Sequence, residues 1–169
     1  MERNAAFAQN FTSDATMMPT LGLMVITCAD PRVDPAHILG LQRGEALVIR
    51  NIGGRITPAA MQTIAMLGAI AQNEGVDPGA AGMEIIVLQH TDCGITRLHD
   101  HPDVLAASFG IDASEVDAKA IDDPRAAIPI DLAALRTFLP AGITVTGLLY
   151  DVDTGQVERV AEPSPVRSG

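Results

Sequence analysis

Aromatic side chains are scarce in this 169-residue chain: four Phe, one Tyr and no Trp, 3% in all. A core must therefore be built from Ile, Leu, Val, Met and Ala. Cysteine is scarcer still, with two in the chain, Cys28 and Cys93. Two are too few for a disulfide framework. Basic residues are outnumbered, 11 Lys and Arg against 21 Asp and Glu, for a net charge of −10. Nucleic acid is therefore not an expected partner, because phosphate binding relies on clustered Lys and Arg. No stretch reaches the roughly 18 consecutive apolar residues of a transmembrane helix. Met1-Glu2-Arg3-Asn4 leads into no apolar segment of the secretory kind, and a cytoplasmic location is expected.

What is present describes an ordinary globular chain, 47% hydrophobic and 19% charged. Its length is expected to make one domain over residues 1–169, with a helical leader at 1–20 and a loose tail at 163–169. In the leader, a short helix around Glu2 to Phe11 sets Phe7 and Phe11 four apart, an apolar stripe suited to docking.

Short apolar runs recur along the chain. Leu21 to Thr27, Ala46 to Ile49, Met83 to Gln89 and Ile143 to Tyr150 read as strands, and Ile85-Ile86-Val87-Leu88 is apolar without alternation. Helix signals fall between them. Asp34-Pro35 and Thr57-Pro58 each place a capping residue before proline. The second helix carries Met61, Ile64, Ala65, Gly68 and Ala71 on one face and stops near Gly75. Ile95 to Asp123 reads as short helical fragments, Ile130 to Leu139 as a further helix, and Gln156 to Val160 as an antiparallel return strand. The expected fold is three-layer α/β: a central, mostly parallel four-stranded sheet plus an antiparallel edge strand, flanked by helices.

Ligands of open parallel sheets collect outside the carboxyl ends of the strands. Cys28, Gly53, Gly54, His90 and Cys93 all fall at such ends. Two thiols and an imidazole suit zinc, whose catalytic sites use three protein ligands and leave one position exchangeable. That position is open to Asp30, to water, or to each in turn. Asp30 and Arg32, two apart, can face one side and pair, which would keep the carboxylate ionised and directed. A redox disulfide between Cys28 and Cys93 is the other reading of the thiols, but it gives His90, Asp30 and Arg32 nothing to do.

Cys28-Ala-Asp30-Pro-Arg32 with His90-Thr-Asp-Cys93-Gly94 resembles the paired Cys-x-Asp-x-Arg and His-x-x-Cys signature of the β-class carbonic anhydrases, in their compact microbial branch. Arg50-Asn51-Ile52-Gly53-Gly54 is similar to that family's loop after the second strand, and Gly147 to Gly155 to its last strand and turn. The resemblance implies zinc held by Cys28, His90 and Cys93, an Asp30–Arg32 dyad, and reversible hydration of carbon dioxide to bicarbonate by a zinc-bound hydroxide. It also implies a homodimer or larger homo-oligomer. Relatives that hydrolyse carbon disulfide or carbonyl sulfide on the same site supply an alternative. A catalytically silent zinc-stabilised scaffold is another, but it would not need Asp30 and Arg32. Pro31 stands where the family has Ser or Ala, stiffening the loop that carries Asp30.

Other candidates weigh less. Gly53 and Gly54 can present backbone N–H groups to an anion or simply make a tight turn at positive φ. His37 reads as surface, His99-Asp100-His101 as a polar loop, and Arg50 and Arg55 as structural ion-pair formers. Asp92, between two ligands, is expected to fix a neighbouring backbone or arginine.

Overall fold

The computed structural model describes residues 1–167; Ser168 and Gly169, the end of the expected loose tail, lie outside the described residues. The apolar runs become strands: β1 (Leu23–Cys28), β2 (Ala46–Asn51), β3 (Glu84–His90) and β4 (Thr144–Tyr150), with β5 (Val157–Pro165) returning along β4. The sheet order is β2-β1-β3-β4-β5, parallel throughout except for the β4–β5 pair. The mostly parallel sheet with one antiparallel edge is thus the expected one.

β1 buries Met24 through Cys28 and β3 buries Ile85 through His90 in unbroken runs, because both of their faces are covered. One face carries Met24, Ile26, Ile85, Val87, Val145 and Leu149 against Ile64, Ile128, Leu132 and Leu135. Those partners come from α3 (Pro58–Asn73) and α5 (Pro124–Phe138). The other face carries Val25, Ile86, Leu88 and Leu148 beneath Ile38 and Leu39 of the short α2 (Pro35–Leu39). A third cluster closes the carboxyl end of the sheet, where α4 (Pro102–Phe109) packs Leu105, Ala106 and Phe109 around Cys28, Cys93 and Ile95. Asp34, Thr57 and Asp123 cap α2, α3 and α5 as side-chain acceptors, each followed by proline.

Three features depart most from the sequence reading. α5 starts at Pro124 rather than Ile130, with Pro129 inside it. An interior proline costs about 3 kcal/mol through the lost bond and ring clash. Burying Ile128, Leu132 and Leu135, each worth about 1.5–3 kcal/mol, outweighs that. The expected loose tail is ordered as far as Val166: β5 continues to Pro165, and Val166 is buried, its N–H donating to the Ile143 carbonyl at 2.7 Å. On α3 the buried face is Ala60, Ile64 and Ala71, while Ala65 is exposed.

The leader forms α1 (Glu2–Gln9), which buries none of its residues. The segment after it is clipped to residues 43–45: Arg43 pairs with Asp14 and lies over the Phe11 ring, and Thr20 N–H donates to the Gly44 carbonyl.

Candidate metal centre

β1 and β3 are neighbours, but the chain leaves β1 for β2 on one side and β3 for β4 on the other. Such a reversal opens a crevice at the carboxyl ends of the two strands. Cys28 is the last residue of β1 and His90 the last of β3, one residue further into the sheet than the sequence suggests. Cys93 follows as the chain turns into a short 3₁₀ segment, Gly94–Leu98. All three side chains are buried, and their donor atoms lie within 4.8 Å of one another.

The imidazole carries the decisive detail. His90 Nδ1 lies 2.8 Å from the Thr91 carbonyl oxygen. A carbonyl can only accept, so Nδ1 bears the proton and neutral His90 presents a bare lone pair at Nε2. That Nε2 is buried with no hydrogen-bond partner, alone in this among the side-chain nitrogens and oxygens of the described residues. An orphaned buried acceptor costs on the order of 1–3 kcal/mol, so its position beside two sulfurs calls for a ligand. Cys28 Sγ and Cys93 Sγ are 3.7 Å apart. The Cys93 S–H donated to the Cys28 sulfur holds the Cys28 thiol down to about 4, while the same contact and burial push Cys93 up. The pair therefore gives up its first proton more readily than a free thiol does. These three residues can hold a metal ion.

Beside them, Asp30 and Arg32 form the expected pair in bidentate geometry. Arg32 Nε donates to Asp30 Oδ1 at 3.0 Å and Nη2 to Oδ2 at 2.7 Å, while the Arg32 backbone N–H donates to Oδ1 at 2.9 Å. The guanidinium and these donors hold the Asp30 carboxyl down to about 2, so it stays a carboxylate. Asp92 then fixes the arginine from the far side. Its Oδ2 accepts from Arg32 Nη1 at 2.8 Å and its carbonyl from Nη2 at 2.9 Å. Arg50 does not make the expected ion pair; it donates to the carbonyls of Cys28, Asp30 and Val33 at 2.7–3.0 Å, pinning the turn that carries Asp30.

The Gly53-Gly54 turn packs against Cys28. Both glycines have positive φ, 77° and 61°, and both are buried. A Cβ on Gly54 would fall 2.7 Å from the Cys28 nitrogen, and one on Gly53 would fall 2.5 Å from Ile95 Cδ1. The Gly53 backbone N–H is among the groups that lower the Cys28 thiol, though a smaller influence than Cys93. Arg55, next in sequence, makes a buried ion pair with Asp131 at 2.7 Å.

Comparison with known proteins agrees with this geometry. The chain is 27% identical over 165 residues to β-carbonic anhydrase 1 of Mycobacterium tuberculosis, covering 95% of this chain and 94% of that one. A family model described as carbonic anhydrase matches residues 23–109. The chain belongs to the β-carbonic anhydrase family. That family is one of lyases, carbonate dehydratases. The crystal structure of carbonic anhydrase from Streptococcus mutans superposes with a TM-score of 0.69 at 28% identity, over 94% of this chain and 93% of that one. A carbon disulfide hydrolase of Acidianus is also related, 25% identical over 164 residues, with 81% of this chain and 76% of that one covered.

Within this member of the β-carbonic anhydrase family, the remaining histidines stay outside the cluster. His37 is exposed and pairs with Asp34, and His99 pairs with Asp122 at 2.8 Å. Sequence reading passed over Asp131 and Gln89. The one signal available was an aspartate inside the apolar stretch Ile128 to Leu135, where only a partnered carboxylate is tolerated.

Proposed function

We propose that this chain is a zinc enzyme that hydrates carbon dioxide reversibly to bicarbonate, with Cys28, His90 and Cys93 as the metal ligands. The observation that carries the reading is the buried, partnerless His90 Nε2 set beside two sulfurs. Two thiolates and one imidazole are a zinc donor set, and they leave a position for exchange. The 3.7 Å between the sulfurs also suits that ion, since two Zn–S bonds of about 2.3 Å at a tetrahedral angle span about 3.8 Å. When bound, zinc supplies a Lewis acid that lowers the pKa of water from 15.7 to about 7, making hydroxide available near neutral pH.

The chain's own groups do the rest. His90 keeps Nε2 free by donating Nδ1–H to Thr91. Asp30, ionised at working pH, accepts the hydrogen bond of the water being consumed and so orients its lone pair toward the carbon. Arg32 fixes the carboxylate plane of Asp30, and Arg50 fixes the backbone beneath it. The free, buried thiols fit a reducing compartment, in keeping with a cytoplasmic enzyme. A helix that buries nothing of its own, with Phe7 and Phe11 exposed, fits association into a homodimer or larger assembly.

The kinship to a carbon disulfide hydrolase favours a second substrate reading on the same residues. Carbon disulfide is a linear cumulene like carbon dioxide, and parallel assays of both on one preparation separate them. Two variants test the roles. Cys93→Ala should lose zinc outright; full occupancy would remove Cys93 from the ligand set. Asp30→Ala should keep most zinc yet lose about 10- to 100-fold in hydration rate. Hydration at the parent rate would reject the role of Asp30.

A further inference from the structure

The ligand-bearing segments are tied together from below by a carboxylate that is 2% exposed, Asp131 on α5. Its Oδ2 accepts from Arg55 Nε at 2.7 Å and from Gln89 Nε2 at 3.3 Å, and its Oδ1 accepts from the Ile56 N–H at 3.2 Å. The same Gln89 amide donates to the Gly54 carbonyl at 3.0 Å. Gln89 and the Gly54 it binds each sit beside a proposed ligand. Gln89 immediately precedes His90 in β3. Gly54 lies so close to Cys28 that a Cβ would meet the Cys28 nitrogen, and Gly53 is held equally close to Ile95, two residues past Cys93. Arg55 extends the network outward, donating to the Lys119 carbonyl at 2.7 Å and lying 5.1 Å over the Phe109 ring. Phe109 in turn packs in the cluster that contains both cysteines.

Stability alone does not account for such an arrangement, because well-packed apolar residues of similar volume often serve a core as well as a buried ion pair. Apolar packing lacks direction. A carboxylate with three donors fixes where each of those donors lies. We infer that Asp131, with Arg55 and Gln89, is a positioning group for the ligand set, holding the turn behind Cys28 in register with the strand end that carries His90. This inference rests on the zinc reading of Cys28, His90 and Cys93. Asp131 touches no ligand itself and acts through Gln89, Gly54 and the Ile56 backbone.

The test measures zinc affinity by chelator competition, together with the thiolate charge-transfer and d–d bands of the cobalt(II)-substituted full chain. Asp131→Asn and Gln89→Leu remove the charge and the amide at nearly constant volume. Leu135→Ala serves as control, opening a cavity under the same helix while leaving every hydrogen-bonding group of the network in place. Both network variants should bind zinc about 10- to 100-fold more weakly than the parent and shift the cobalt bands, while their far-ultraviolet circular dichroism stays native. Leu135→Ala should melt earlier yet hold zinc within about twofold of the parent, because Leu135 makes none of the hydrogen bonds of the network. Parent affinity and parent spectrum in Gln89→Leu and in folded Asp131→Asn would overturn the inference. So would an equal loss of affinity in Leu135→Ala. If Asp131→Asn does not fold, Gln89→Leu decides alone. A parent chain that takes up neither metal would instead reject the zinc reading beneath it.

Discussion

Asp92 combines two roles at one residue. It is one of two non-glycine residues at positive φ among the described residues, at 47°, a conformation that aspartate tolerates better than most. That backbone turns its carbonyl to Arg32 Nη2, while its side chain accepts from Arg32 Nη1 at 2.8 Å and from Arg97 at 3.1 Å. The two contributions separate by substitution. Asp92→Gly keeps the backbone and removes the carboxylate; Asp92→Asn keeps the shape and removes the charge. If the carboxylate is what holds Arg32 against Asp30, both variants should retain zinc and lose about tenfold in hydration rate. A fully active Asp92→Gly would assign the whole effect to the backbone. The meeting of Cys28, His90 and Cys93, with Asp30 paired to Arg32 beside them, was legible in the sequence because thiols and an imidazole at strand exits form a distinctive pattern. The reach of Asp92 toward an arginine was foreseen only in kind, since spacing alone does not identify which arginine lies opposite.

The turn after β2 shows how an element is shaped by a neighbour that lies far away in sequence. Gly54 combines a φ of 61° with a backbone approach to Cys28 that leaves no room for a Cβ. Gly54→Ala should therefore incur about 1–2 kcal/mol for the left-handed conformation and about 1–3 kcal/mol for overpacking. Urea unfolding should register a loss of about 3.5 kcal/mol, the middle of the summed range. Parent stability in that variant would mean the turn moves freely away from Cys28. The need for positive φ was readable from the paired glycines; the close approach to β1 was not, because it depends on tertiary packing. The same holds for α5. Proline at 129 signals a helix break locally, yet the buried face of Ile128, Leu132 and Leu135 keeps the helix whole. Asp131 was hidden by that misplaced boundary, which left it at the edge of an expected helix rather than in the middle of an observed one.

At the scale of the whole molecule, the sheet is closed on one side by β5 and Val166, and the last of these residues, from 163 onward, are ones that composition alone marks as a loose tail. Pro, Ser and Glu in that stretch say little about pairing, because an edge strand with one exposed face tolerates them. Val166 is 4% exposed and packs into the main core with Ile143 and Val145. Val166→Ala should lower unfolding free energy by about 2 kcal/mol, measured in denaturant, whereas Val157→Ala on the exposed part of β5 should change it little. Equal effects at the two positions would put the end of the chain outside the core. The central claim concerns chemistry at the other end of the sheet, where β1 and β3 bring two sulfurs and a bare imidazole nitrogen together. The most direct measurement is stopped-flow hydration of carbon dioxide on protein whose zinc is counted in the same sample. One zinc per chain with hydration well above the buffer rate, both lost on chelation and both restored by added zinc, is the predicted result. Zinc-free protein, or zinc-loaded protein that leaves carbon dioxide untouched, would contradict it.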